Sequence, residues 1–240
     1  MSPDRRFRQG FGPSLAAALG IALTIAAGAW QMRRAEEKAR SQETLDALLR
    51  EPAVTIPASA LGDRELLYRR VRVVGTFAPE HTVYLDNRLR HHLPGFEIVT
   101  PLRIGDGARF VAVNRGWIQG SARRDTLPDV KTPADPVTVE GTVVPAQRVY
   151  QFEHAGPEGK VWLSFSLDRM RKESGLDLQP ILVQQESALD DGLERLWDRP
   201  DSGRDKHLAY AFQWFALAFA ILVLYVVLGF RRRSNAHGQA

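Results

Sequence analysis

Residues 208–230, with the sequence LAYAFQWFALAFAILVLYVVLGF, form an apolar stretch without a charged side chain. About 20 consecutive apolar residues in an α-helix span a hydrocarbon core of about 30 Å. A single segment in lipid must satisfy its backbone hydrogen bonds internally, and only a helix does so. The sequence therefore predicts a transmembrane helix over residues 208–230.

A second uncharged stretch, residues 9–32, predicts another transmembrane helix over residues 10–32. The arginines before it and the sequence Ala27-Gly28-Ala29 leave a cleavable signal peptide as the alternative. Small residues recur at every fourth position, which suits packing on another membrane helix and favours a retained anchor. These small residues are Gly12, Ala16, Gly20, Thr24 and Gly28.

The basic residues near the spans predict the topology. Arginines and lysines on the two sides of the first span nearly balance, whereas the short tail carries Arg231, Arg232 and Arg233. A long central region translocates largely regardless of its charge. We therefore expect both termini in the cytoplasm, an extramembrane domain over residues 33–206, and a basic cytoplasmic tail over residues 231–240.

The central region has the alternation of a β-rich domain. Val71 and Val73 alternate with Arg70 and Arg72, and turn sequences such as Leu93-Pro94-Gly95 separate further segments of this kind. Besides the strand around Val71, we predict strands over residues 82–85, 97–102, 110–113, 137–144, 161–167 and 180–185.

Two helices are predicted outside the spans, one over residues 33–50 that continues the first span and one over residues 167–174. The predicted fold class is a membrane protein of the α+β type. Two terminal transmembrane helices flank a compact, mostly antiparallel β domain, which is a sheet, a barrel or a sandwich.

Composition excludes several classes of chemistry. The chain has no cysteine, which excludes disulfides, thiolate metal sites, iron–sulfur clusters and cysteine nucleophiles. The net charge is +4, but the basic residues are interleaved with acidic ones, so nucleic acid is not an expected partner. No phosphate loop, dinucleotide fingerprint or catalytic constellation is found, and we predict no enzymatic activity.

Histidines offer few metal sites. His91-His92 is a candidate metal pair, but neighbouring strand residues point to opposite faces, and the adjacent Leu93-Pro94-Gly95 favours a loop. His81, His154 and His237 are interpreted as solvent-exposed.

The segment Asn114-Arg115-Gly116-Trp117 ends an apolar strand with an amide, a cation, a glycine and a large aromatic side chain. It is a candidate partner-binding site. In the structural alternative, Asn114 ties a turn, Gly116 takes positive φ, and Trp117 packs on the sheet with Arg115 exposed.

His207 stands at the mouth of the second span, and Tyr210 and Trp214 follow at i+3 and i+7 on the same helical face. An imidazole with aromatic surface beside it suits a flat cofactor such as haem, since neutral histidine is a common axial ligand of iron. The alternative is that all three are interfacial anchors. Gln213 is expected to pack against a neighbouring helix, because an unpartnered amide in lipid is costly.

Six segments, taken in order, resemble the Surfeit-locus family of cytochrome oxidase assembly factors, and the resemblance covers most of the chain. The segments are residues 69–77 (RRVRVVGTF), 85–88 (LDNR), 95–102 (GFEIVTPL), 113–118 (VNRGWI), 139–142 (VEGT) and 207–218 (HLAYAFQWFALA).

The resemblance implies a factor that helps the haem a centre form in subunit I of haem-copper oxidases. Some bacterial members bind haem a through a histidine that matches His207, and the tryptophan of that motif matches Trp214; Lys206 departs from the asparagine expected before the histidine. Subunit I, haem A synthase, other assembly factors and membrane lipid are the expected partners. The first span begins near residue 10, which leaves no room for a mitochondrial transit peptide and favours a bacterial inner membrane with a periplasmic domain. A scaffold that binds no haem is the alternative function.

Overall fold

The computed structural model describes residues 10–62, 65–120, 126–146, 159–197 and 203–231. The chain divides into two compact units. One unit combines the residues up to Thr44 with those from Pro200 onward, and the other is Leu45–Arg199.

The helical unit contains α3 (Arg204–Arg231) and most of α1 (Phe11–Arg50), whose residues from Leu45 onward belong to the other unit. Among the described residues, these two helices are long and apolar enough to cross a membrane. The predicted helical continuation of the first span to Arg50 is confirmed, because α1 runs through it without interruption.

Small residues of α1 face α3 over part of the predicted stripe. Thr24 and Gly28 are buried, and a Cβ placed on Gly20 would lie 3.5 Å from Ile221 Cδ1. Gly12 and Ala16 are exposed, so they take no part in the packing on α3. Four residues advance an α-helix by about 400°, so a stripe of period four drifts around the helix and leaves the contact.

Eight strands and one short helix are described in the second unit. Strands β2, β3, β4, β5, β6 and β8 and helix α2 correspond to predicted elements. The elements are β1 (Val54–Thr55), β2 (Arg70–Phe77), a 3-10 turn (Pro79–His81), β3 (Val83–Arg90), β4 (Leu93–Ile104), β5 (Arg109–Gln119), β6 (Val137–Val144), β7 (Val161–Trp162), α2 (Leu167–Ser174) and β8 (Asp177–Gln185).

The strand order is β1-β2-β6-β8-β5-β4-β3-β7, and β2 also pairs with β4. The ring β2-β6-β8-β5-β4 therefore closes into a five-stranded barrel, from which β3 and β7 extend the sheet. The predicted antiparallel character is confirmed for most pairs, whereas β5–β8, β1–β2 and β3–β7 are parallel.

Two apolar clusters hold this unit together. The first includes Val71, Val73 and Leu102, and β2 buries alternate residues as its period of two predicted. The second places Trp162 and Met170 against the sheet. Helix α2 begins where the Ser166 side chain accepts a hydrogen bond from Arg169 N and ends at Gly175, whose φ of 69° is left-handed.

Two local predictions are wrong. Leu93-Pro94-Gly95 lies inside β4, and the chain reverses instead at His91 and His92, whose φ values are 49° and 63°. A two-residue hairpin turn of this kind needs positive φ at both positions, and histidine does not signal it in the way that Asn-Gly does. The strand expected over residues 161–167 includes only Val161 and Trp162, and Leu167 is instead the first residue of α2.

Candidate functional site

His207 lies in the first turn of α3 and makes a hydrogen bond to α1. Its Nδ1 is 2.7 Å from Gln31 Oε1. An amide oxygen is an acceptor, so this contact favours the tautomer with the ring N–H at Nδ1. In a neutral imidazole the other nitrogen, Nε2, then keeps its lone pair and can bind a metal ion.

The antiparallel packing of α1 and α3 places the two residues side by side. At the other end of the pair, the Ser14 hydroxyl lies 2.8 Å from the Tyr225 hydroxyl. Between the two polar contacts, Gly28 lies against the ring of Phe215, and Ala211 and Ala218 are buried. Small residues thus let the helices approach closely, which brings the Gln31 amide within reach of the imidazole.

Tyr210 and Trp214 remain accessible beside His207. Their exposed fractions are 53% and 37%, and His207 itself is partly buried. The spacing i, i+3, i+7 places the three side chains on one side of α3. A ring nitrogen with a lone pair and two accessible aromatic side chains fit an iron macrocycle, which takes an axial imidazole and apolar contacts.

The described part of the chain has no group of three or more histidine, aspartate or glutamate side chains that could hold a metal ion. His91 Nε2 instead lies 3.8 Å from Glu194 Oε2. His154 and His237 lie outside the described residues.

Gln31 was not predicted to take part in the site, because a polar contact between helices was expected of Gln213 instead. Gln213 is exposed, and on α3 it is His207 that forms a hydrogen bond with the Gln31 amide of α1. The position of Gln31 at the end of an apolar stretch was the available signal, because an amide there needs a partner.

Arg115 is completely buried, so the expectation that it is exposed is wrong. Its guanidinium lies 3.0 Å from Asp191 Oδ2 and donates to Thr132 Oγ1 and to Lys131 O, both at 2.7 Å. It also lies over the ring of Phe77, 4.6 Å from the centroid. Burial lowers the pKa of Arg115, and the hydrogen bond and charge of Asp191 oppose that shift.

The rest of this segment is also internal. Asn114 is buried and its Nδ2 donates to Glu97 Oε2 at 2.8 Å, while the buried Trp117 donates from Nε1 to Arg88 O at 2.8 Å. Gly116 has φ of 144°, and a Cβ there would lie 2.8 Å from Glu194 O. With these side chains buried, the segment does not present the predicted partner-binding surface.

The buried contacts connect different sequence segments that carry the resemblance to the Surfeit-locus family. Residues Arg88 and Glu97 belong to the segments 85–88 and 95–102, and both contact the segment 113–118. A Cβ on Gly95 would lie 2.5 Å from the Trp117 ring, so this glycine gives the indole its space. These residues therefore share a structural role in holding β3, β4 and β5 together.

The fold defines a class of protein in which two terminal helices, long and apolar enough to cross a membrane, flank a β-barrel domain in the sequence. The chain belongs to the SURF1 family, whose profile matches residues 18–219. The resemblance to the Surfeit-locus family is thereby confirmed.

Relatives with this name occur in bacteria and animals. The chain is similar to a SURF1-like protein of Rickettsia conorii, with 29% identity over 221 residues that cover 89% of each chain. It is also similar to Surfeit locus protein 1 of Rattus norvegicus, with 24% identity over 217 residues that cover 82% of this chain and 69% of the relative. None of these names denotes an enzyme.

Proposed function

We propose that this protein is a biogenesis factor for haem-copper cytochrome oxidase that carries haem a to the site where it enters subunit I. The observation that supports the proposal is the hydrogen bond between His207 Nδ1 and Gln31 Oε1, because it leaves Nε2 as a ligand beside two accessible aromatic side chains. Membership of the SURF1 family agrees with the assignment.

Each residue of the site has a distinct part in this function. Haem a, when bound, supplies an iron coordination position that the Nε2 atom of His207 fills. Tyr210 and Trp214 pack against the face or edge of the macrocycle. The cationic residues Arg204 and Lys206, in the first turn of α3, match the charge of the haem propionates.

A carrier must also release its cargo, and the site suits release. One protein ligand and two half-exposed aromatic side chains enclose a macrocycle less completely than a closed pocket with two ligands. No covalent chemistry by the protein is required, so we propose transfer without enzymatic turnover. We place both termini in the cytoplasm of a bacterium and the barrel domain in the periplasm, with subunit I and haem A synthase as partners.

A scaffold that binds no haem is the alternative. The exposed apolar side chains of α1 and α3, such as Leu23 and Phe212, could then contact oxidase helices. The Gly12–Gly28 face of α1 is a further docking surface for such a scaffold, whereas Asn114, Arg115 and Trp117 are buried.

The experiment is to purify the full-length protein from cells that make haem A and to record its absorption spectrum, together with His207→Ala. His81→Ala is the matched control, since His81 lies in the 3-10 turn of the other unit. We expect haem in the wild type and in His81→Ala, and its loss in His207→Ala. A colourless wild type would exclude the carrier and favour the scaffold, whereas a coloured His207→Ala would exclude only this ligand.

A further inference from the structure

We propose that Gln31 is a positioning residue that selects the tautomer of His207 and thereby sets how strongly Nε2 binds haem iron. This inference rests on the proposed function for its consequence. The tautomer itself can be measured without haem, so the two can fail separately.

The contact between the two residues is short and specific. The distance from Gln31 Oε1 to His207 Nδ1 is 2.7 Å, and both side chains are partly buried between α1 and α3. Arg34 and Glu37, on the next turn of α1, pair with each other at 2.7 Å. The Glu37 carboxylate is therefore engaged by Arg34.

A neutral imidazole carries its proton on either nitrogen. With the proton on Nε2, that atom has no lone pair to give to iron, so only the tautomer protonated at Nδ1 can bind iron through Nε2. An acceptor at Nδ1 favours this tautomer and holds the ring in one orientation. Removal of such an outer partner typically weakens metal binding about 10- to 100-fold.

The neutral amide also sets the donor strength of the ligand. A carboxylate at the same position would draw the Nδ1 proton more strongly and make Nε2 a more basic ligand. An amide orients the ring without this increase. Gln31 therefore provides orientation while keeping the iron–nitrogen bond weak enough for a carrier to release haem.

Three variants of the full-length protein test the role of Gln31. Gln31→Leu removes the acceptor with little change of volume, and Gln31→Glu keeps an acceptor and adds charge. Thr24→Val is the matched control, because Thr24 lies on the same face of α1, two turns away, and its hydroxyl bonds only to Gly20 O and Ile21 O among the described residues.

The first measurement uses haem-free protein labelled with 15N-histidine, in which the His207 signals are those lost in His207→Ala. We expect Nδ1 protonated and Nε2 unprotonated in the wild type, in Thr24→Val and in Gln31→Glu. In Gln31→Leu we expect a substantial population protonated at Nε2. A wild type protonated mainly at Nε2 would overturn the inference.

The second experiment measures the affinity for haem by titration and then the reduction potential of the bound haem. We expect haem binding about 10- to 100-fold weaker in Gln31→Leu and a lower reduction potential in Gln31→Glu, with Thr24→Val equal to the wild type. If Gln31→Leu does not fold, an unchanged potential in Gln31→Glu still overturns the inference. A wild type that binds no haem overturns the proposed function instead, and the 15N measurement then decides the tautomer alone.

Discussion

Gly28 and Phe215 are in direct contact across α1 and α3, and a Cβ placed on the glycine would lie 2.7 Å from Phe215 Cε1. No real Cβ atom takes such a position, so the aromatic ring occupies space that only a glycine leaves free. This contact lies one turn from Gln31 on α1, so the two helices approach closely beside the His207 hydrogen bond.

Substitution of Gly28 should therefore separate the helices. We expect Gly28→Leu to destabilise the helical unit by about 1–3 kcal/mol, as overpacking does elsewhere, and Gly28→Ala by less. The measurement is the thermal unfolding midpoint in detergent. Gly12→Ala is the control, because a Cβ there meets nothing within 4 Å. Equal midpoints for Gly28→Leu and Gly12→Ala would contradict the close contact.

Removal of the buried Arg115 guanidinium should destabilise the barrel. In Arg115→Met, Asp191 still pairs with Arg195, whose Nη2 lies 2.5 Å from Asp191 Oδ2. The hydrogen bonds from Arg115 to Thr132 and Lys131 are lost. Breaking a buried pair costs about 3–5 kcal/mol when the remaining charge has no partner, so with Asp191 still paired to Arg195 we expect a loss near the low end of that range. Urea unfolding followed by circular dichroism measures this loss.

The exposed pair of Arg72 and Glu140, 3.7 Å apart, provides the control for Arg115. Arg72→Met should change the free energy of unfolding by less than about 1 kcal/mol, because water already solvates both charges. If the two methionine variants unfold at the same urea concentration, the buried network does not contribute as we expect.

Stability should fall in alkaline solution through Tyr84. Burial raises the pKa of Tyr84 above its usual value of 10.0, Asp129 adds to the rise, and Arg115 opposes it. The folded state therefore holds the phenolic proton more tightly than the unfolded state. This contribution is complete below about pH 10 and is lost as the pH rises through the folded pKa.

Tyr84→Phe isolates that contribution because phenylalanine does not titrate. The free energy of unfolding of the wild type minus that of Tyr84→Phe should stay constant from pH 7 to 9 and decrease above pH 10. Urea unfolding at each pH gives both values. A difference that does not change up to pH 11 would show that Tyr84 ionises equally in both states.

The aromatic side chains beside His207 should slow haem loss. We expect Trp214→Leu and Tyr210→Leu each to raise the rate of haem transfer to apomyoglobin about 2- to 10-fold, which corresponds to about 0.5–1.5 kcal/mol of aromatic contact. Phe212→Leu is the control, since Phe212 is 74% exposed and lies about 140° around α3 from His207. A rate that rises equally in all three variants would argue against a haem face at Tyr210 and Trp214.

Local patterns in the sequence were sufficient to predict the limits of several helices and strands. Helix α2 and strand β6 have the predicted limits, because a capping serine, a terminal glycine and a run rich in β-branched residues all act over a few residues. The loop expected at His91 and His92 is confirmed, but the turn expected at Leu93-Pro94-Gly95 is wrong, because these three residues pair with β3.

The two membrane-length helices, the period of the strands and the spacing that puts His207, Tyr210 and Trp214 on one side of α3 could all be predicted from the amino-acid sequence. These features depend on the length and periodicity of contiguous segments. The packing of distant segments was needed to show that β2 meets β4 to close the barrel, that Arg115 is buried, and that Gln31 contacts His207. Each of these depends on which distant segments pack together, and the free energy of that packing is shared among contacts that no single stretch of sequence contains.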